Sequence, residues 1–195
     1  ASGANNTLVF NFQDLVGNTQ RVTFGVNAVE SAPDTPLALS AGGVTTSGIN
    51  WTWTRGTRLC RTAAGGAGQF IGRRADTGAV VYPANTTAAF NEGGLTANTL
   101  YGLHVQATDA FGASALSPSA SAYTLAAAPT GFGTASVSTG SAVLSWSSTN
   151  PAYTRFEVSL SPDNFTSVVS TPVAVEANLT ALTTSFVGLA PETLY

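Results

Sequence analysis

The sequence predicts an all-β protein built from β-sandwiches. Apolar and polar residues alternate along many short segments, as in residues 49–54, and this period of two is typical of half-buried strands. Twenty Gly and nine Pro provide frequent turns between those segments. No window shows a convincing helical period with caps, so short strands joined by turns indicate packed β-sheets.

Composition narrows the classes of protein to which the chain can belong. The 195 residues are 44% hydrophobic and only 9% charged, which excludes the usual composition of a disordered protein. The formal net charge of −3 argues against nucleic-acid binding, because phosphate contacts need a basic surface. No segment approaches the run of about 18 apolar residues that a membrane helix requires, so no membrane span is expected.

The first thirty residues predict a β-hairpin. Segments 8–12 and 22–26 alternate between apolar and polar residues, and turn-forming residues separate them. Further alternating segments are found at 49–54, 101–108, 143–146, 156–160, 168–175 and 184–187. Each is short enough to be one strand of a sandwich.

The chain also repeats itself with a period of about 94 residues. Segments 94–101 and 188–195 share the pattern Gly-Leu-x-x-x-Thr-Leu-Tyr. A second motif, Asp-x-x-Gly, begins at Asp14 and again at Asp109 with nearly the same spacing. Two independent motifs with one period, close to the length of a sandwich domain, indicate tandem domains.

These repeats resemble a tandem array of fibronectin type III domains, of the kind found in large bacterial surface proteins. Trp51 or Trp53 stands where the family has its strand-B tryptophan, and Trp146 repeats it. The family's Leu-x-x-x-Thr-x-Tyr corner is present twice, as Leu95, Thr99 and Tyr101 and as Leu189, Thr193 and Tyr195. The resemblance implies that each of these Tyr hydroxyls bonds to the backbone upstream of it.

The resemblance also divides the chain into three parts. Residues 1–31 are expected to form an F–G-like hairpin of an Ig-like unit, residues 32–126 a complete domain, and residues 127–195 an incomplete domain with strands A to E. In the complete domain, strand B is expected at 48–54, C at 69–74, F at 100–108 and G at 119–125. Inward alternation then predicts a core of Ile49, Trp51, Trp53, Phe70, Tyr101, Leu103, Val105 and Tyr123.

Catalysis is not expected, and no cofactor or metal is predicted. His104 is the only histidine and lies on the polar face of its strand, where an exposed side chain is the ordinary outcome. Cys60 is the only cysteine, so no disulfide can form within the chain. Asp14 and Asp109 are expected to bond to their own turns rather than to hold calcium.

Five of the seven basic residues fall in one window of the middle domain, beside a B–C loop that is longer than its counterpart in the last domain. They are Arg55, Arg58, Arg61, Arg73 and Arg74. One interpretation is a solvated loop that keeps a charge-poor surface soluble. The other is a contact patch for carboxylates of a neighbouring subunit or an acidic polysaccharide, with Phe111 at the F–G turn as an aromatic contact for a glycan.

The hairpin and the incomplete domain together predict how copies associate. The apolar residues of the hairpin are candidate strand donors to the incomplete domain of another copy, head to tail. They are Leu8, Phe10, Phe12, Val22, Phe24 and Val26. The competing interpretation is a longer covalent array, in which flanking domains are the partners.

These features favour a structural segment of an extracellular or cell-surface filament, sheath or stalk. Two alternatives stay open, because one fold supports many functions. One is an adhesin module that binds glycans, and the other is a spacer in a larger secreted hydrolase.

Overall fold

The computed structural model describes residues 5–27, 32–56, 68–167 and 169–195. These residues form fifteen strands and a single 3₁₀ turn, Val175–Ala177, so the all-β prediction is confirmed. The strands are β1 (Asn5–Gln13), β2 (Thr19–Asn27), β3 (Leu37–Gly42), β4 (Gly48–Thr54), β5 (Gln69–Arg74), β6 (Val80–Asn85), β7 (Ala89–Gly93), β8 (Leu100–Asp109), β9 (Gly112–Ala113), β10 (Ala120–Tyr123), β11 (Thr130–Val137), β12 (Ser141–Ser147), β13 (Val158–Leu160), β14 (Ser170–Val173) and β15 (Thr183–Val187).

Strands β1 and β2 form an antiparallel hairpin, which is a two-stranded sheet of its own among the described residues. Asp14 closes the turn, because its Oδ1 accepts the backbone N–H groups of Val16 at 3.0 Å and Asn18 at 2.8 Å. Asp109 accepts the Phe111 N–H at 2.9 Å in the turn after β8. The expectation that both aspartates bond to their own turns is therefore confirmed.

Strands β3 to β10 form the middle sandwich, which has two facing sheets. One sheet has the order β3-β4-β7, and the other has the order β10-β8-β5-β6, with β9 paired to the end of β8. The bounds of β4 and β5 are those predicted for strands B and C. Alternation along the strands buries six of the predicted core residues between the sheets, namely Ile49, Trp51, Trp53, Phe70, Leu103 and Val105.

Tyr123 is not a core residue, contrary to the prediction, and is 57% exposed. The inward position at the end of β10 belongs to Thr124. Its hydroxyl accepts the Thr99 N–H at 3.0 Å and donates to the Thr96 carbonyl at 2.6 Å. These two bonds set which face of the strand is buried, and they turn Tyr123 towards solvent.

Strands β11 to β15 form the C-terminal sandwich. Its sheets have the orders β11-β12-β15 and β13-β14. Five buried side chains from both sheets make its core, namely Leu144, Trp146, Phe156, Val158 and Phe186. Each sandwich thus has a hydrophobic core of its own, whereas the division of the chain at residues 31 and 126 stays a prediction.

One aromatic contact occurs in both sandwiches. Trp53 packs edge-on against Phe70 with ring centroids 5.6 Å apart, and Trp146 packs against Phe156 in the same way at 5.5 Å. The indole N–H of each tryptophan is buried and has no acceptor within the described ranges. Trp53, and not Trp51, is therefore the counterpart of Trp146.

The tyrosine corner also occurs in both sandwiches, as predicted. The Thr96 N–H donates to the Tyr101 hydroxyl at 2.9 Å, and the Ala190 N–H donates to the Tyr195 hydroxyl at 3.1 Å. Tyr101 itself is half-buried, so its predicted place in the closed core is wrong. Its ring lies at the border of the core, 4.6 Å from the guanidinium carbon of Arg74.

Candidate binding groove

The predicted arginine patch is only partly described by the structure. The Arg55 guanidinium donates to the Thr86 carbonyl at 2.8 Å and stands 5.4 Å from the centre of the Phe70 ring. Arg73 donates to the Gly78 carbonyl at 3.3 Å. Both cations therefore have partners within the chain. Arg58 and Arg61, like Cys60, lie outside the described residues.

Arg74 is not available as an exposed contact, which corrects its place in the predicted patch. Its side chain is 14% exposed and forms an ion pair with Glu92, whose side chain is 5% exposed. Nη1 donates to Oε2 at 3.0 Å, Nη2 donates to Oε1, and the Trp51 indole N–H donates to Oε2 at 2.9 Å. The carboxylate thus gains the partners that a buried charge requires.

We call Trp51, Arg74, Glu92 and Tyr101 the polar cluster. Local sequence patterns do not reveal the Arg74–Glu92 pair, because the two residues belong to different sheets and no local spacing joins them. The available signal was alternation. Arg74 shares the inward face of β5 with the buried Phe70, and Glu92 shares the face of β7 that carries Phe90.

Two other predicted positions lie on β8 or at its end. His104 is half-buried and not exposed, because its Nδ1 lies 2.7 Å from the Ser117 carbonyl oxygen. Phe111 lies in the turn after β8, where the prediction placed it, but its side chain is half-buried. His104 is the only histidine of the chain.

A groove of about 830 Å³ opens between the two sheets of the C-terminal sandwich. Buried side chains of Leu144 and Phe186 and the half-buried Leu160 form its apolar floor. Phe132, Phe165 and Tyr195 lie at its rim and are about half exposed or more. The sequence did not predict a ligand-sized groove here, although it predicted an incomplete sandwich.

Strand β8 occupies the equivalent place in the middle sandwich. There β5 lies between β6 and β8, and the inward residues Leu103, Val105 and Ala107 of β8 are fully buried. In the C-terminal sandwich β13 corresponds to β5, because Phe156 just before it repeats the contact of Phe70. Among the described strands, β13 pairs with β14 alone, so its other edge and the core beside it are open.

The groove floor is apolar because the polar cluster is replaced in the C-terminal sandwich. Leu144 stands at the counterpart of Trp51, counted from the Trp53–Trp146 pair, and Leu160 at that of Arg74, counted from the Phe70–Phe156 pair. Phe186 stands at the counterpart of Glu92, counted from Gly94 and Gly188. Only the tyrosine is retained, as Tyr195.

The hairpin presents the apolar residues that were predicted as strand donors. Phe10 is 49% exposed, Phe12 is 58% exposed, and their rings stack with centroids 6.5 Å apart. Val22 is paired with Phe10 in the register and is also exposed. Leu8, Phe24 and Val26 lie on the same two strands, but their side chains fall outside the described part.

Two general classes of site are absent from the described ranges. No three His, Cys, Asp or Glu side chains there lie close enough together to hold a metal ion. The same ranges contain no helix with the length and apolar character that a bilayer crossing requires.

Several solved structures have a similar fold. A two fibronectin type III domain segment from chicken tenascin is 20% identical, with a TM-score of 0.50 over 81% of this chain and 85% of that chain. The rat CD45 extracellular region, domains d3–d4, is 13% identical, with a TM-score of 0.43 over 64% and 66% of the two chains. The chicken CNTN1 FN1–FN3 domains are 15% identical, with a TM-score of 0.42 over 96% and 66%.

These likenesses concern the fold and nothing beyond it. The tenascin match shows that the chain has a tandem, fibronectin type III-like arrangement of β-sandwiches. No protein-family model and no curated protein sequence matches the chain.

Proposed function

We propose that the chain is a structural segment of an extracellular filament, sheath or stalk at a bacterial cell surface, and that it is not an enzyme. The observation that carries this proposal is the junction between the middle and C-terminal sandwiches. A filament needs successive domains to keep one orientation, and side chains of both sandwiches bond across this junction. The fold alone would support many other functions.

Asn150 ties the connecting segment to the C-terminal sandwich. The Ala127 N–H donates to Asn150 Oδ1 at 2.8 Å, and Asn150 Nδ2 donates back to the Ala127 carbonyl at 2.8 Å. This reciprocal pair satisfies both backbone groups of a residue that would otherwise belong to a free linker. The linker is therefore held as part of the C-terminal sandwich.

Asn98 ties the two sandwiches to each other directly. It belongs to the tyrosine corner of the middle sandwich, and its Nδ2 donates to the buried Thr154 hydroxyl at 2.8 Å. The Tyr153 hydroxyl donates to the Asn98 carbonyl at 2.7 Å. Because these bonds approach Asn98 from its side chain and its backbone, they resist both bending and rotation at the junction.

Immunogold electron microscopy of source cells, with antibodies against residues 32–195, tests the proposal. Label that follows surface fibres is the expected result, whereas label confined to the cell interior or to released soluble protein would contradict it. A glycan array and a polysaccharide hydrolysis assay of the native protein serve as controls. Selective glycan binding would favour the adhesin alternative, and hydrolysis would favour the spacer alternative.

A further inference from the structure

We propose that the groove of the C-terminal sandwich binds the β1–β2 hairpin of a second copy of this chain. The inference deepens the proposed filament function and rests on it, because it supplies the contact that joins one copy to the next. Each copy carries one hairpin and one groove, so the contact is heterologous and repeats head to tail.

The hairpin is related to the strand that fills this place in the middle sandwich. The turn after β1 and the turn after β8 use the same device, an aspartate Oδ1 that accepts the N–H two residues later, at Val16 and at Phe111. When Asp14 is aligned with Asp109, Phe10 falls on Val105 and Phe12 falls on Ala107. Those two positions of β8 are fully buried.

The sheet topology also matches. In the middle sandwich, β8 lies between β5 and β10. A hairpin at the open edge of β13 would place β1 beside β13, just as β8 lies beside β5. Strand β2 would then lie on the outer side of β1, just as β10 lies beside β8. Strand addition of this kind pairs the free backbone groups of the edge and buries the alternating side chains of the added strand.

The hairpin and the groove floor both present apolar side chains. At the groove floor, Leu144 replaces the larger Trp51, which leaves space that the middle sandwich does not have. On the hairpin, Phe10 and Phe12 replace the smaller Val105 and Ala107. The hairpin thus supplies large apolar rings to a core whose floor lacks the Trp51 ring.

The alignment specifies one register. In the middle sandwich Ile71 pairs with Gln106 and Gly72 pairs with Val105. The corresponding contacts between copies pair Glu157 with Asn11 on the solvent face and Val158 with Phe10 on the core face. Glu157 and Asn11 are both exposed in the single chain, so they can be replaced without disturbing either core.

Sedimentation and disulfide trapping of the 195-residue chain test the proposal. In a Cys60→Ser background, one chain carries Asn11→Cys and the other carries Glu157→Cys. Mild oxidation of the mixture should give a disulfide-linked heterodimer, and a Gln13→Cys chain mixed with Glu157→Cys should give much less. Equal trapping of both pairs, or trapping of neither, would overturn the proposed register and docking.

Self-association of the chain without cysteine substitutions should increase with concentration and should weaken at least about 30-fold in Phe12→Asp. Leu15 is a fully exposed apolar residue in the turn of the same hairpin. The Leu15→Asp chain is therefore the matched control and should associate normally. A second variant, Leu144→Trp, fills the groove and should also weaken association. A chain that stays monomeric at all concentrations contradicts docking, and the groove then takes a strand from another source, such as a continuation of its own chain.

This failure is distinguishable from failure of the filament function. A monomeric 195-residue chain, together with immunogold-labelled surface fibres, would leave the filament proposal intact and remove the docking proposal. Association in solution without surface fibres would leave the docking proposal intact and remove the filament proposal.

Discussion

Arg74 of β5 and Glu92 of β7 form a buried ion pair that joins the two sheets of the middle sandwich. Trp51 adds a third hydrogen bond to the same carboxylate. The C-terminal sandwich has Leu160 and Phe186 at the equivalent positions. The two sandwiches therefore fill the same place between their sheets with an ion pair in one case and with apolar side chains in the other.

The ion pair predicts a large difference between a single and a double replacement. Glu92→Leu should lower the free energy of unfolding by about 3–5 kcal/mol, because it leaves the Arg74 guanidinium buried without a counter-charge. The double variant Arg74→Leu with Glu92→Leu should recover most of that loss. Urea unfolding followed by tryptophan fluorescence, in a Trp146→Phe background, reports on the middle sandwich alone. A double variant as unstable as the single one would contradict this account.

The tyrosine corner predicts a small and specific loss. Tyr101→Phe keeps the ring but removes the acceptor of the Thr96 N–H, so the middle sandwich should lose about 0.5–1.5 kcal/mol of unfolding free energy. Tyr123→Phe is the matched control, because the Tyr123 side chain is exposed. Chemical denaturation of both variants checks the prediction, and equal losses would mean that the hydroxyl bond has no effect of its own.

Gly72 predicts a steric effect at the centre of β5. A Cβ on Gly72 would lie 2.9 Å from the Tyr82 Cβ and 3.3 Å from a Leu103 methyl group. Gly72→Ala should therefore destabilise the middle sandwich by about 1–3 kcal/mol. Gly93→Ala is the control, since nothing lies within 4 Å of its added Cβ. A lower melting temperature for Gly93→Ala than for Gly72→Ala in thermal unfolding would contradict this prediction.

Asp14 predicts an acid-sensitive turn in the hairpin. The backbone N–H of Asn18 contributes most to holding the pKa of Asp14 below its usual value, followed by the Asn18 side chain. Because the pKa is lowered in the folded state, the ionised form stabilises the turn above the ordinary aspartate pKa. That contribution is lost as pH falls through the lowered pKa. Amide proton shifts of Val16 and Asn18, followed by NMR during acid titration, should report this transition, and Asp14→Ala should abolish it.

The strands were predictable from local patterns, and the corners from a resemblance that a repeated motif carries. Alternation through Trp51 and Trp53 predicted a strand at 49–54, within β4, and the family resemblance carried by the repeated Thr-Leu-Tyr motif implied both tyrosine corners. These features depend on residues that are close in sequence, or on a repeat that one chain displays. They can therefore be predicted without knowledge of the tertiary partners.

The remaining features depend on partners that the sequence does not place. Period-two alternation divides a short strand into two faces but does not say which face is buried, and Tyr123 was assigned to the wrong one. Arg74 was interpreted as a surface charge because its partner Glu92 lies on the facing sheet. Predicting the groove requires knowing which edge of β13 stays open, and only the order of the strands in the sheet determines this.

The central claim is that the two sandwiches keep one fixed orientation, and residual dipolar couplings measure this most directly. In one alignment medium, amide couplings from the middle and C-terminal sandwiches should fit a single alignment tensor. Asn98→Ala combined with Asn150→Ala should separate the two tensors, whereas Asn91→Ala, an exposed change in the middle of β7, should not. Two tensors of different magnitude in the unmodified chain would contradict the account.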